Sequence, residues 1–121
     1  MAKILVVDDE PQILPLMSTL LTRAGHTVIT ATSGNEALTV AMRELPDLVM
    51  TDQLMPGMNG DELIRQLRSN SAAKYVSAII MTRFSGHSRP NFDGLTLVAV
   101  LQKPIEIKEI LASVGKALAH P

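Results

Sequence analysis

Polar side chains follow four of the apolar runs in this sequence, each at the point where the run ends. They are two acids after the first run, an acid after the third, a hydroxyl after the fourth and an ammonium group after the fifth: Asp8 and Asp9, Asp52, Thr82, and Lys103. Three carboxylates held close together raise the pKa of at least one of them unless a cation neutralises them. Mg²⁺ prefers carboxylate oxygens, and lysine suits phosphoryl oxygens. These residue types predict phosphoryl transfer, in which a carboxylate can act as the nucleophile and form an aspartyl phosphate.

The apolar runs that carry these residues have the lengths of buried strands. The predicted strands are 3–7, 26–31, 47–52, 76–82 and 95–101. Stretches with apolar residues on one helical face lie between most of them, and a last one follows the fifth strand. This alternation predicts an α/β fold with a parallel sheet covered by helices on both faces. Since ligands bind outside the carboxyl ends of the strands in open α/β sheets, the polar residues are expected to share one site.

Two local features concern the helices of this repeat. The interval 83–94 contains two Gly, one Pro, two Ser and one Asn and has no apolar stripe, so the fourth helix is predicted to be short or irregular. Asn59 precedes an apolar helical pattern and can cap that helix.

Composition narrows the class of protein. A chain of 121 residues suits one domain, predicted to span 1–121. The chain has no cysteine, which excludes disulfides and cysteine-based zinc sites. Its net charge is −1 with no basic block, so direct nucleic-acid binding is not expected. No apolar run approaches the length of a membrane span, and a cytoplasmic protein without membrane contact is expected.

The order and setting of the strand-end residues resemble a known family. The pattern Asp52-x-x-Met55-Pro56-x-x-x-Gly60 stands in "TDQLMPGMNG", with the acids in "VVDDEP", Thr82 in "AIIMT" and the lysine in "LQKP". Over essentially its whole length the chain resembles a response-regulator receiver domain of two-component signalling. The resemblance implies a doubly wound, five-stranded parallel sheet in the order 2-1-3-4-5.

The resemblance also implies a role for each strand-end residue. Asp52 is expected to accept the phosphoryl group, and Thr82 and Lys103 to bind its oxygens. The implied cofactor is Mg²⁺, with these ligands: Asp8 through water, and directly Asp9, Asp52 and the backbone carbonyl of Leu54. Glu10 is given no ligand role and is expected to favour the start of the first helix. The Lys103-Pro104 peptide bond is expected to be cis.

The resemblance implies partners as well. The expected phosphodonor is a phosphohistidine on a histidine kinase or a histidine phosphotransfer protein. A downstream effector and a weak homodimer are compatible with this interpretation. The chain is expected to be a stand-alone regulator or part of a hybrid kinase, and a signalling module that catalyses its own phosphorylation and dephosphorylation, not an enzyme acting on another substrate.

Two positions depart from the family pattern. Receivers usually have a small residue after the threonine, where this chain has Arg83, and Tyr or Phe three residues before the lysine, where it has Val100. Arg83 is expected either to crowd the site or to turn out to solvent. Because Val100 cannot act as the aromatic half of a Thr/Tyr switch, the sequence predicts phosphate transfer without that switch.

Three other functions are alternatives to phosphoacceptance. A haloacid-dehalogenase-type phosphatase needs Asp-x-Asp after its first strand and room for a substrate cap. This chain has Asp-Asp-Glu there and little room for a cap. A flavin- or nucleotide-binding domain of similar architecture needs a glycine-rich phosphate loop, and neither common form of that loop is present. The remaining alternative is a degenerate receiver that acts as a protein-binding scaffold without phosphorylation. Arg83 favours this alternative, whereas the retained acids, threonine and lysine argue against it.

Overall fold

The computed structural model describes residues 2–83 and 92–119. In chain order the elements are β1 (Lys3–Val7), α1 (Ile13–Arg23), β2 (Thr27–Ala31), α2 (Gly34–Glu44), β3 (Leu48–Asp52), α3 (Gly60–Arg68), β4 (Ser77–Thr82), β5 (Ala99–Gln102) and α4 (Ile107–Leu118). The five strands form one parallel sheet in the order β2-β1-β3-β4-β5. This confirms the predicted fold class and strand order. The predicted fourth-helix interval, 83–94, lies largely outside the described residues.

Helices pack on both faces of the sheet. Alternate side chains of β1 enter two separate cores, Leu5 and Val7 on the face of α2 and α3, and Ile4 and Val6 on the face of α1 and α4. All four of these side chains are fully buried. A strand covered on both faces has no polar side to its pattern, which explains why β1 and β3 are continuous apolar runs. The outer strands β2 and β5 are only partly buried.

The fifth strand begins later than the sequence pattern indicates. The prediction of a strand over 95–101 is wrong at its start, since β5 begins at Ala99. The guanidinium group of Arg68, at the end of α3, donates hydrogen bonds to the carbonyls of Leu95 at 3.0 Å and Thr96 at 3.1 Å. Thr96 has a positive φ of 56°, which strand geometry does not allow. Leu95 is buried in the core beside α2 and α3, so its apolar character serves packing and not a strand.

Candidate phosphoryl-transfer site

The strand register places the polar residues at one edge of the sheet. Val7 lies level with Thr51, and Asp52 lies level with Met81. Thr82 lies level with Gln102, and its carbonyl accepts a hydrogen bond of 2.7 Å from the Lys103 amide. The polar residues at the carboxyl ends of β1, β3, β4 and β5 therefore lie in a common region.

Lys103 lies between two buried carboxylates. Its Nζ is 3.3 Å from Oδ1 of Asp52 and 3.4 Å from Oδ2 of Asp8. Asp8 is fully buried, and Asp52 is 6% exposed. Burial raises the pKa of the Asp52 carboxyl above its ordinary value; the neighbouring Lys103 charge opposes this rise, and the Asp8 charge adds to it. The site thus contains a partly desolvated carboxylate beside a fixed cation.

Three carboxylates come close enough to share a metal ion. One oxygen from each of Asp8, Glu10 and Asp52 lies within 4.8 Å of the others. Carboxylate oxygens at this spacing are a donor set that suits a hard divalent cation such as Mg²⁺. Glu10 was given no ligand role from the sequence, yet its carboxylate belongs to this cluster. A local signal was available, because an aspartate side chain commonly accepts a hydrogen bond from the backbone two residues on, and the Asp8 Oδ1 accepts one of 2.9 Å from the Glu10 amide.

Asp9 and Leu54 lie at a small cavity next to this cluster. The cavity, of about 180 Å³, is lined by Asp9, Glu10, Asp52, Leu54 and Arg83. The Asp9 side chain is exposed, and the Leu54 side chain is about half exposed. Both residues thus border the same cavity as the Asp52 carboxylate.

Thr82 and Lys103 occupy a different side of the site. Thr82 ends β4 and is 1% exposed. Neither residue belongs to the lining of the small cavity, within the part of the chain that the structure describes. The Lys103-Pro104 bond is cis, as expected.

The loop between β3 and α3 is held by a buried glutamine. Gln53 is 2% exposed, its side-chain amide donates to Oδ1 of Asp61, and its Oε1 accepts from the Asp61 amide, both at 2.9 Å. Partial burial acts to raise the pKa of the Asp61 carboxyl, but hydrogen bonds from Arg65 and Gln53 together outweigh it, and the pKa is lowered. This pairing was not predicted from the sequence. It anchors the start of α3 to the residue that follows Asp52.

Two further residues shape the same loop. Gly60 packs against the Asp52 carbonyl so closely that a Cβ at position 60 would collide with it. Asn59 occupies the N-cap position of α3, but its side chain makes no cap hydrogen bond. Its Oδ1 accepts instead from the Met55 amide, at 3.2 Å. Asn59 is therefore the N-cap residue, as predicted, but its side-chain oxygen closes the loop and makes no hydrogen bond to the helix.

The residues that depart from the family pattern have defined positions. Arg83 lines the small cavity, and its Nη2 donates a hydrogen bond of 2.9 Å to Oε1 of Glu10. Val100 lies in β5, level with Ile80, and is partly buried.

A larger apolar cavity adjoins the site. Its volume is about 580 Å³, and its lining comes from α1, the loop after β5, and the start of α4. Glu10, Arg83 and Lys103 form its polar members, and Leu16 and Ile105 are among its apolar ones. We call it the apolar groove.

Known proteins share this sequence pattern. A family model described as the response regulator receiver domain matches residues 4–115. The chain belongs to the response regulator receiver family. Receivers are signalling modules that bind Mg²⁺ at an acidic pocket and interact with histidine kinases or phosphotransfer proteins and with effectors.

Curated relatives of this receiver differ in length. The protein PilH of Pseudomonas aeruginosa is 32% identical, with 98% of this chain and 99% of PilH covered. The regulatory protein PhoP of Bacillus subtilis, described as a transcriptional regulator of alkaline phosphatase synthesis, is 40% identical over 96% of this chain. The chain spans 48% of PhoP, about half of its length.

Solved structures show the same fold. The chemotaxis response regulator CheY4 of Vibrio cholerae has a TM-score of 0.90 and is 30% identical, with 98% of this chain and 99% of that one covered. The response regulator TrrA of Thermotoga maritima, solved in complex with Mg²⁺ and BeF, has a TM-score of 0.86 and is 34% identical, with 98% and 100% covered. Among the described residues of this receiver, no helix has the length and apolarity needed to cross a membrane.

Proposed function

We propose that this receiver takes a phosphoryl group from a phosphohistidine onto Asp52 in a Mg²⁺-dependent reaction. The observation that carries the proposal is the position of the Asp52 carboxylate, which lies beside Lys103 and lines the small cavity. A nucleophile needs an ionised oxygen that is not strongly hydrated, and Asp52 is buried next to a cation that favours its charged form.

The transfer forms one bond and breaks one. An oxygen of Asp52 attacks the phosphorus, the P–N bond of the phosphohistidine breaks, and its electron pair returns to the imidazole nitrogen. The three equatorial oxygens of the phosphoryl group carry the negative charge of the transition state. Lys103, which faces Asp52 across 3.3 Å, is proposed to neutralise part of that charge, and the Thr82 hydroxyl to bind another oxygen.

The acidic residues fit a metal ion at this site. Asp8, Asp9, Asp52 and the Leu54 carbonyl are proposed to hold Mg²⁺, which supplies positive charge to the phosphoryl oxygens. The spacing of the Asp8 and Asp52 carboxylates supports their part in this assignment, and Asp9 and Leu54 line the adjoining small cavity. The structure of the related TrrA in complex with Mg²⁺ and BeF also supports a metal ion here. In the metal-free chain, Lys103 offsets part of the charge of the two buried aspartates, so a divalent ion also relieves their repulsion.

The proposed donor is a histidine kinase or a histidine phosphotransfer protein. The proposed consequence is a contact with an effector, either a separate protein or another domain of a longer chain. The retained acids and lysine favour phosphorylation over a role as a scaffold alone.

Intact-mass spectrometry tests the proposal. Wild type incubated with MgCl₂ and acetyl phosphate is expected to gain the mass of one phosphoryl group, and the gain is expected to disappear with EDTA. Asp52→Asn, which keeps the shape of the side chain, is expected to gain nothing. No gain in wild type would make the scaffold function the better account, and an equal gain in Asp52→Asn would overturn the choice of acceptor.

A further inference from the structure

Glu10 belongs to two sets of contacts at once. Its carboxylate lies within 4.8 Å of oxygens of Asp8 and Asp52, and it also accepts a hydrogen bond of 2.9 Å from Arg83. Its side chain is 31% exposed and that of Arg83 is 68% exposed, so the pair lies at the protein surface. A single carboxylate is thereby placed between an acidic cluster and a competing cation.

The Glu10–Arg83 pair also separates two cavities. Both residues line the small acidic cavity, and both line the apolar groove. Among the described residues that line either cavity, only these two line both. A change in the pair therefore alters the rim of the groove and the wall of the phosphoacceptor cavity together.

We propose that Glu10 is an exchangeable member of the metal site, shared between Arg83 and the bound cation. This inference rests on the proposed binding of Mg²⁺. Arg83 restrains cation affinity because it neutralises the carboxylate that the cation would otherwise attract. Cation binding in turn weakens the Glu10–Arg83 pair and releases the guanidinium group at the rim of the apolar groove.

The size of the effect follows from the exposure of the pair. Ion pairs at a protein surface contribute little, since water screens them. Loss of Arg83 should therefore tighten Mg²⁺ binding by about two- to five-fold. Glu10→Gln should weaken Mg²⁺ binding by a similar factor, because the cluster loses one of its charges.

The experiment is an NMR titration of the full ¹⁵N-labelled chain with MgCl₂ at constant ionic strength. The proteins compared are wild type, Arg83→Ala, Glu10→Gln and the double variant. Arg83→Ala should tighten binding when Glu10 is present and have no effect when residue 10 is glutamine. In wild type the Arg83 side-chain N–H resonance should shift as Mg²⁺ is added, and in Glu10→Gln it should stay in place.

Arg43→Ala is the matched control. Arg43 lies at the end of α2, on the opposite edge of the sheet from the site, and pairs with Glu44 at the surface. Its removal changes the net charge by the same amount as Arg83→Ala and should leave Mg²⁺ affinity unchanged.

The outcomes separate this inference from the proposed function. If wild type shows no Mg²⁺ binding, both this inference and the proposed Mg²⁺-dependent function fail. If wild type binds Mg²⁺ but Arg83→Ala tightens binding equally in both backgrounds, Arg83 acts only through its long-range field and the exchange is overturned. Unchanged affinity in Glu10→Gln also overturns the exchange and leaves the proposed function intact.

Discussion

The ammonium group of Lys103 lies 3.3 Å from a carboxylate oxygen of Asp52. The same nitrogen lies 3.4 Å from Asp8, so one side chain links the ends of β5, β3 and β1. Its side chain is only 16% exposed, which makes these charges far less screened than those of a surface pair. Lys103 therefore stabilises the metal-free site and is already in place for a phosphoryl group.

Removal of this cation should weaken the fold. In Lys103→Ala, without metal, two buried carboxylates lose their compensating charge, and the free energy of unfolding should fall by about 2 kcal/mol. Urea denaturation monitored by circular dichroism measures the change. Lys108→Ala is the control, since Lys108 pairs with Glu106 at 3.8 Å in a largely exposed position and its loss should have no measurable effect. Equal stability of wild type and Lys103→Ala would show that the pairing contributes nothing.

Substitution by alanine should change the stability of the protein in opposite directions at two glycines. In Gly60→Ala the new methyl group collides with the Asp52 carbonyl, so unfolding free energy should fall by about 1–3 kcal/mol. In Gly115→Ala, in α4, the methyl group meets nothing within 4 Å, and stability should rise by about 0.5–1 kcal/mol. Thermal or urea unfolding of both variants tests the pair. A neutral Gly60→Ala would mean that the close approach of α3 to Asp52 is not required.

Asp52 should make the metal-free protein less stable as the pH rises. Burial raises the pKa of its carboxyl above the unfolded value, so below the unfolded pKa of about 4 both states bind the proton and there is no effect. As the pH rises through the raised pKa, the folded state must carry a partly desolvated charge and loses stability. Asp52→Asn should therefore raise the melting temperature by a few degrees at pH 7 and by nothing below pH 4. A melting curve series in EDTA from pH 3 to pH 8 measures this, and a difference independent of pH would contradict it.

Binding of Mg²⁺ and BeF at the site should leave β5 undisturbed around Val100. Wild type titrated with Mg²⁺ and BeF should show amide shifts at the strand ends, around 8–10, 52–60 and 103–105. Val100 itself and its partner Ile80 should shift little, because no aromatic side chain couples this position to Thr82. A large ordered rearrangement over 83–101 would show that a switch operates without the aromatic residue.

Periodicity and residue type predicted a parallel sheet and the edge that carries the candidate site, and the family resemblance supplied the strand order. Continuous apolar runs occur where strands are covered on both faces, as in β1, whose predicted bounds match the structure. The predictions for β2, β3 and β4 each begin one residue early. The convergence of Asp8, Asp52 and Lys103 follows from parallel strands alone, once each run is known to end at a polar residue. Their chemical roles stay predictions.

The errors arose where a distant side chain decides the local structure. The start of β5 depends on Arg68, which lies 27 residues before the Leu95 carbonyl that it binds. Glu10 likewise pairs with Arg83, 73 residues away. Asn59 is the local exception, because its side-chain oxygen accepts from the Met55 amide, four residues earlier, and closes the loop. No window of local sequence contains both partners of the longer contacts.

The central claim is that Asp52, and not another acid of the cluster, carries the phosphoryl group. Borohydride reduces an aspartyl phosphate to homoserine, which tandem mass spectrometry can locate in a peptide. After incubation with Mg²⁺ and acetyl phosphate, we predict homoserine at position 52, and none there if the phosphodonor is omitted. Homoserine at position 8 or 9 in place of 52, or at no position in a protein that has gained phosphoryl mass, would contradict the account.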